Sequence, residues 1–131
     1  MKFHGKGKIL SEEGSQFEGY FSRGKIHGPG RIVYDDGDYF QGEFVKGFLG
    51  GSGEYSLAGD YYVGDFQNGI KEGKGVVKYK NGSSYSGSWH LNRYEGKGTF
   101  TRIGGKKFEC FWVDGKCPTM NVFDPKEEVV I

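Results

Sequence analysis

A motif of aromatic, any residue, glycine, any residue, aromatic returns every 22 or 23 residues: Phe17/Gly19/Phe21, Phe40/Gly42/Phe44, Tyr62/Gly64/Phe66 and Tyr85/Gly87/Trp89. A fifth copy, Phe108 to Trp112, keeps both rings and puts Cys110 in the glycine position. A fixed period of this length is the mark of a stacked repeat array. In phase with it, glycine pairs spaced G-x-G recur at Gly5/Gly7, Gly28/Gly30, Gly51/Gly53, Gly73/Gly75 and Gly96/Gly98, each leading into a short alternating run such as Val76-Val77-Lys78-Tyr79. Most of the 25 glycines fall at these offsets, so they belong to the architecture.

Side chains of a strand alternate between faces. In Tyr62-Val63-Gly64-Asp65-Phe66 the two rings and the glycine share one face, and in the run after it Gly75, Val77 and Tyr79 oppose Lys74, Val76 and Lys78. Aligned strands then give one face of aromatics and glycine and another of mixed and charged residues. The glycines act as flat spots on which a neighbouring ring lies against backbone. Asp35-Asp36-Gly37-Asp38, Lys80-Asn81-Gly82-Ser83 and Ile103-Gly104-Gly105 carry hairpin-turn chemistry, and the alternate connections pass through Gly24, Gly47, Gly69 and Asn92. With 17% aromatics, the composition also favours strands over helices. The expected fold is all-β: an elongated, twisted, single-layer antiparallel meander of about ten short strands, on the order of 45 Å long at ~4.8 Å per strand.

The segments Phe17 to Gly37 and Tyr62 to Gly82 resemble MORN repeats, whose pattern is Y-x-G-x-[WF]-x-x-G-x-x-x-G-x-G. The resemblance extends over about residues 4 to 115. It divides the chain into an array over 1–117 (half repeat 4–16; repeats 17–39, 40–61, 62–84 and 85–107; partial repeat 108–117) and a C-terminal tail or cap over 118–131. The first strand, around Gly5 to Leu10, is expected at an open edge available to a second copy or a partner strand. In the tail, Asp124-Pro125-Lys126-Glu127 reads either as the start of a short helical cap or as part of a disordered end.

Function classes narrow quickly. A formal charge of +1 gives no electrostatic case for nucleic acid. No stretch approaches the roughly 18 apolar residues of a membrane-spanning helix, and MKFHGKGK lacks the apolar core of a signal peptide, so a cytoplasmic protein is expected. Cys110 and Cys117 are expected as reduced thiols, since two ligands without a matching histidine set make no zinc site. No metal or other cofactor is expected. His4 and His27 fall in a repeat position held elsewhere by Gly50, Glu72 and Glu95, which reads as a turn position, and His90 lies opposite Trp89. The G-x-G pairs lack the Lys-Ser/Thr and helix of a phosphate loop. An enzyme is therefore not expected. Glu18, Glu43, Asp65 and Glu109 are expected on a solvated face with basic partners across strands.

Binding remains. A single-layer sheet leaves part of its aromatic face accessible, and the expected partner groove is lined by Phe21, Tyr34, Phe44, Leu57, Phe66, Tyr79 and Trp89. Tyr39 is among the other rings expected along that face. The resemblance implies a non-enzymatic scaffold that binds a partner peptide or helix, in a cytoskeletal or ciliary setting, with dimerisation through an edge or terminal repeat. Its alternative implication is a phosphoinositide-binding module tethering membrane to cytoskeleton, for which Lys71, Lys74, Lys78 and Lys80 are the candidate contacts.

Overall fold

The computed structural model describes residues 5–118. They form ten strands: β1 (Gly5–Leu10), β2 (Gln16–Ser22), β3 (Lys25–Val33), β4 (Tyr39–Val45), β5 (Phe48–Leu57), β6 (Asp60–Gln67), β7 (Ile70–Lys78), β8 (Ser84–His90), β9 (Arg93–Thr101) and β10 (Lys107–Trp112). All lie in one antiparallel sheet in sequential order, the expected single-layer meander. The capping-box segment at Asp124 and the His4 position lie outside the described residues.

Two kinds of turn alternate. One has two residues of positive φ, as at Arg23-Gly24, Lys46-Gly47, Asn68-Gly69, Leu91-Asn92 and Asp114-Gly115. This geometry matches the twist of the strands it joins. Asn92 holds φ 66° where the other copies have glycine. The other turn closes between Tyr34 and Asp38, Tyr79 and Ser83, and Arg102 and Lys106, with the amide of the first residue donating to the carbonyl of the last. Between β5 and β6 it is replaced by Ala58-Gly59, both at positive φ. That turn is one residue shorter, which explains why the second repeat has 22 residues and the others 23.

The register lines up one glycine per strand into a seam: Gly7, Gly19, Gly30, Gly42, Gly53, Gly64, Gly75, Gly87 and Gly98 are successive partners, and Cys110 closes the row. Ring edges lie along this seam. A Cβ at Gly75 would stand 2.2 Å from Tyr62 Oη, and one at Gly98 would stand 2.1 Å from Tyr85 Oη. The first glycine of each of the last four G-x-G pairs has a different task. Gly28, Gly51, Gly73 and Gly96 take positive φ inside a bulge, where one residue of the preceding strand faces three. The excess of two is even, so the alternation of faces survives the bulge and the aromatic face stays continuous.

On that face the rings form an edge-to-face chain. Within a repeat the first ring meets the second, as in Phe17–Phe21 (5.4 Å), Tyr62–Phe66 (5.1 Å) and Tyr85–Trp89 (5.2 Å). Between repeats it meets the second ring of the following copy, as in Phe17–Phe44 (5.8 Å), Tyr62–Trp89 (5.5 Å) and Tyr85–Trp112 (5.8 Å). Each contact stabilises by about 1 kcal/mol beyond its area burial. Trp89 and Trp112 also donate Nε1–H to the carbonyls of Gly75 and Gly98 in the seam.

The opposite face carries a cross-strand row in which Glu18 sits between Lys8 and Arg31, the basic neighbours expected for it, whereas Glu43 and Glu109 face Pro29 and Thr99. Tyr39 lies on this outer face with Arg31 over its ring at 4.9 Å, which removes it from the expected groove. Further along the row, Glu54 accepts from Gln41 and from the Tyr61 hydroxyl, and this hydrogen bond with burial and nearby charge raises the phenol pKa to about 12.

Cys110 and Cys117 form a disulfide, which corrects the expectation of free thiols. The hairpin after β10 brings their Cα atoms to 5.9 Å, because Cys110 occupies the seam and Cys117 the facing core position. In the other repeats that pair is a glycine and a larger residue, such as Gly42 with Leu49, whose Cδ2 lies 3.3 Å from the Cβ a side chain would have there.

Neighbouring repeats are also tied through their turns. The carbonyls of Ile26, Leu49, Lys71 and Tyr94 accept from the turn amides of Gly47, Gly69, Asn92 and Gly115 in the following copy. One residue on, His27 Nδ1, Glu72 and Glu95 accept from the amides of Lys46, Leu91 and Asp114. The position read as a turn residue is therefore an inter-repeat cap.

Glu72 also meets His90 Nδ1 at 2.8 Å. This hydrogen bond raises the His90 pKa above 6.5 and lowers that of Glu72 below 4.5. The contribution of the pair is therefore full between about pH 4.5 and 6.5 and fades outside that window, as pH rises through the His90 pKa or falls through that of Glu72. In an NMR titration the His90 midpoint is expected above 6.5, returning towards 6.5 in Glu72→Gln; an unchanged midpoint would remove the pair.

Candidate binding site

The seven expected groove residues divide by burial. Tyr34, Leu57 and Tyr79 stand at strand ends on the aromatic face, Tyr34 exposed and the other two partly so. The second rings, Phe21, Phe44, Phe66 and Trp89, are 3 to 8% exposed, so they are core and not an open lining. The reason is the edge-to-face chain: Phe21, Phe66 and Trp89 are each met by the first ring of their own repeat, and Phe44 and Trp89 by that of the repeat before.

The four lysines do not form one patch. Lys74 and Lys78 lie on the outer face, opposite Ser88 and Tyr61 or Ser84, and Lys80 is in the turn after β7. Lys71 pairs with Phe66 and so lies on the aromatic face. Its Nζ stands 5.3, 5.6 and 5.1 Å from the ring centres of Tyr55, Tyr62 and Trp89, and donates to Tyr55 Oη at 3.1 Å.

Beside Lys71 opens a pocket of about 440 Å³, walled by Tyr79, Trp89, Tyr94 and Phe100. Asp60, Lys80 and Arg93 bring charge to the same pocket. Tyr94 stacks on Tyr85 with centroids 3.8 Å apart, and its hydroxyl shares a hydrogen bond with that of Tyr79. Burial raises the Tyr79 phenol and pushes that of Tyr55 up to about 12, so both rings stay neutral at physiological pH. Burial lowers the Lys71 ammonium, and the nearby Asp60 carboxylate partly offsets this.

The MORN repeat model matches at residues 17–39, 40–59, 62–84 and 85–106. The chain belongs to the MORN repeat family. No curated protein matches it. MORN repeats are in general protein- or membrane-interaction modules and non-enzymatic, which places the chain in that broad class.

The pocket joins Tyr79 and Trp89 from the expected groove with Lys71 and Lys80 from the expected lysine set. Sequence reasoning missed Asp60, Arg93 and Tyr94. The signal was present in the MORN alignment itself: the position two residues after the first turn glycine reads Ile26, Leu49, Lys71, Tyr94 and Cys117. One lysine among apolar residues marks the place.

Proposed function

We propose that this MORN array is a non-enzymatic interaction scaffold that binds a partner peptide or helix along its aromatic face. The observation that supports this best is the 440 Å³ pocket, walled by rings and opening beside the partly exposed Tyr79 on a sheet that has no second layer among the described residues. Such a mixture of aromatic wall and charged rim suits protein recognition. A cytoplasmic, cytoskeletal or ciliary setting, and self-association through β1 at the sheet edge, are further proposals that rest on family likeness and on that edge.

Affinity capture from native extract would test the groove. The full chain should retain a near-stoichiometric protein that Tyr34→Glu/Leu57→Glu loses, since both side chains lie on the aromatic face outside the buried ring chain. Retention by the folded double variant would overturn the groove. The second reading, phosphoinositide binding, is supported by Lys74 and Lys78 sharing the outer face. It predicts salt-sensitive binding to phosphoinositide vesicles that Lys74→Glu/Lys78→Glu abolishes; no vesicle association at low salt would remove it.

A further inference from the structure

Lys71 breaks the rule of its own repeat. The other described occupants of its position, Ile26, Leu49, Tyr94 and Cys117, are apolar, and all but Ile26 are less than 8% exposed. The equivalence is structural as well as sequential, because the carbonyls of Ile26, Leu49, Lys71 and Tyr94 each accept from the turn of the following repeat. An ammonium in a core position costs solvation, and a local departure from a consistent pattern without compensation is expected at functional sites. Lys71 has three N–H donors. Among the described residues, Tyr55 Oη is the one hydrogen-bonding partner of the Lys71 ammonium, and no carboxylate lies at ion-pair distance from it.

Resting on the groove reading above, we infer that the Lys71 pocket receives the carboxylate of a glutamate or aspartate side chain from a partner peptide, with Lys71 as its counter-ion. Charge selects this occupant. Arg93 faces Asp114 at 3.7 Å, so Lys71 and Lys80 against Asp60 leave about one uncompensated positive charge at the pocket, which favours an anion. Asp60 on the same wall disfavours a phosphate dianion and leaves a single negative charge as the better match. The remaining wall of Tyr79, Trp89, Tyr94 and Phe100 suits the methylene stem of an acidic residue and an apolar neighbour on the peptide. The three rings around Lys71 Nζ hold the ammonium in place before the ligand arrives.

A displayed library of random twelve-residue peptides, selected on the full chain, provides the probe. Selected peptides should share an acidic residue next to an apolar one. Replacing that residue by its amide in a synthetic peptide should weaken binding about tenfold or more on the wild type, and less than about twofold on Lys71→Leu. Lys71→Leu restores the apolar rule of the position, so it should fold and melt a few degrees higher. Should it fail to fold, the acid-to-amide change in the peptide, read against Lys80→Gln/Arg93→Gln as the rim control, still tests the pocket: a loss under threefold overturns the inference. Peptides bound without acid preference would leave the groove standing and overturn the carboxylate site. An acid preference that persists in Lys71→Leu would also overturn it, and no peptide at all would overturn both readings. Acid preference that appears only after Asp124, Glu127 and Glu128 are neutralised would make the chain's own tail the occupant and overturn the partner assignment.

Discussion

Gly98→Ala should destabilise the protein by about 3 kcal/mol, seen as a lower urea midpoint with tryptophan fluorescence as the probe. The backbone at Gly98 is not in the left-handed region, so the effect is purely one of space. The added methyl would stand 2.1 Å from Tyr85 Oη and 2.5 Å from its Cζ, and the ring has nowhere to move. Tyr85 is fully buried, stacked on Tyr94, flanked edge-on by Trp89 and Trp112, and its hydroxyl donates to the Ser88 carbonyl at 2.8 Å. Gly82→Ala makes the contrast. There the new methyl meets nothing within 4 Å, and the cost is only that of holding an alanine at φ 95°, about 1 to 2 kcal/mol. If the two substitutions cost the same, the seam is not a ring seat, and the glycines are there for backbone freedom alone.

Trp112→Ala should cost about 3 to 5 kcal/mol. The side chain is fully buried at the last strand of the described sheet, edge-on to Tyr85 and Tyr94, so truncation removes the cover from the terminal repeat. It also leaves the Gly98 carbonyl without the indole donor that now lies 2.9 Å away. Trp112→Phe keeps a ring and loses the hydrogen bond, so a smaller loss of about 1 to 2 kcal/mol is expected. Phe111→Ala, one residue earlier at 71% exposure, should stay within about 0.5 kcal/mol. Equal losses at positions 111 and 112 would contradict the assignment of faces in β10. Because stability in a stacked array is a sum of repeat and interface terms, Trp112→Ala should loosen β9 and β10 before the middle of the sheet, which amide exchange would resolve.

Period and spacing alone determined a good deal. The 22- or 23-residue return of rings and glycines dictated a meander of hairpins, and strict alternation put Gly75, Val77 and Tyr79 on one face and Lys74 and Lys78 on the other. These are local properties: a strand turns its side chains with period two, and a turn needs a residue that accepts positive φ. Lys71 shares the parity of Gly73 and Gly75, but grouping it by charge with Lys74, Lys78 and Lys80 left it without a face until the structure placed it.

Only the tertiary structure decided which rings are covered. Phe44 and Trp89 look from sequence like groove lining, and they are core because the first ring of the preceding repeat, Phe17 or Tyr62, meets each edge-on. That contact depends on register between repeats, which no single strand specifies. The disulfide is the same kind of fact: Cys110 and Cys117 are seven positions apart in sequence, and only the pairing in the terminal hairpin brings their Cα atoms to 5.9 Å. The pocket also depends on register between repeats. Rings of the neighbouring repeats wall it, Asp60 and Lys80 enter from one set of turns and Asn92 and Arg93 from another, and Lys71 stands where its counterparts are apolar. Sequence supplies each of these residues at its repeat position, but their convergence requires the strands to be stacked, because the space between repeats belongs to no one of them.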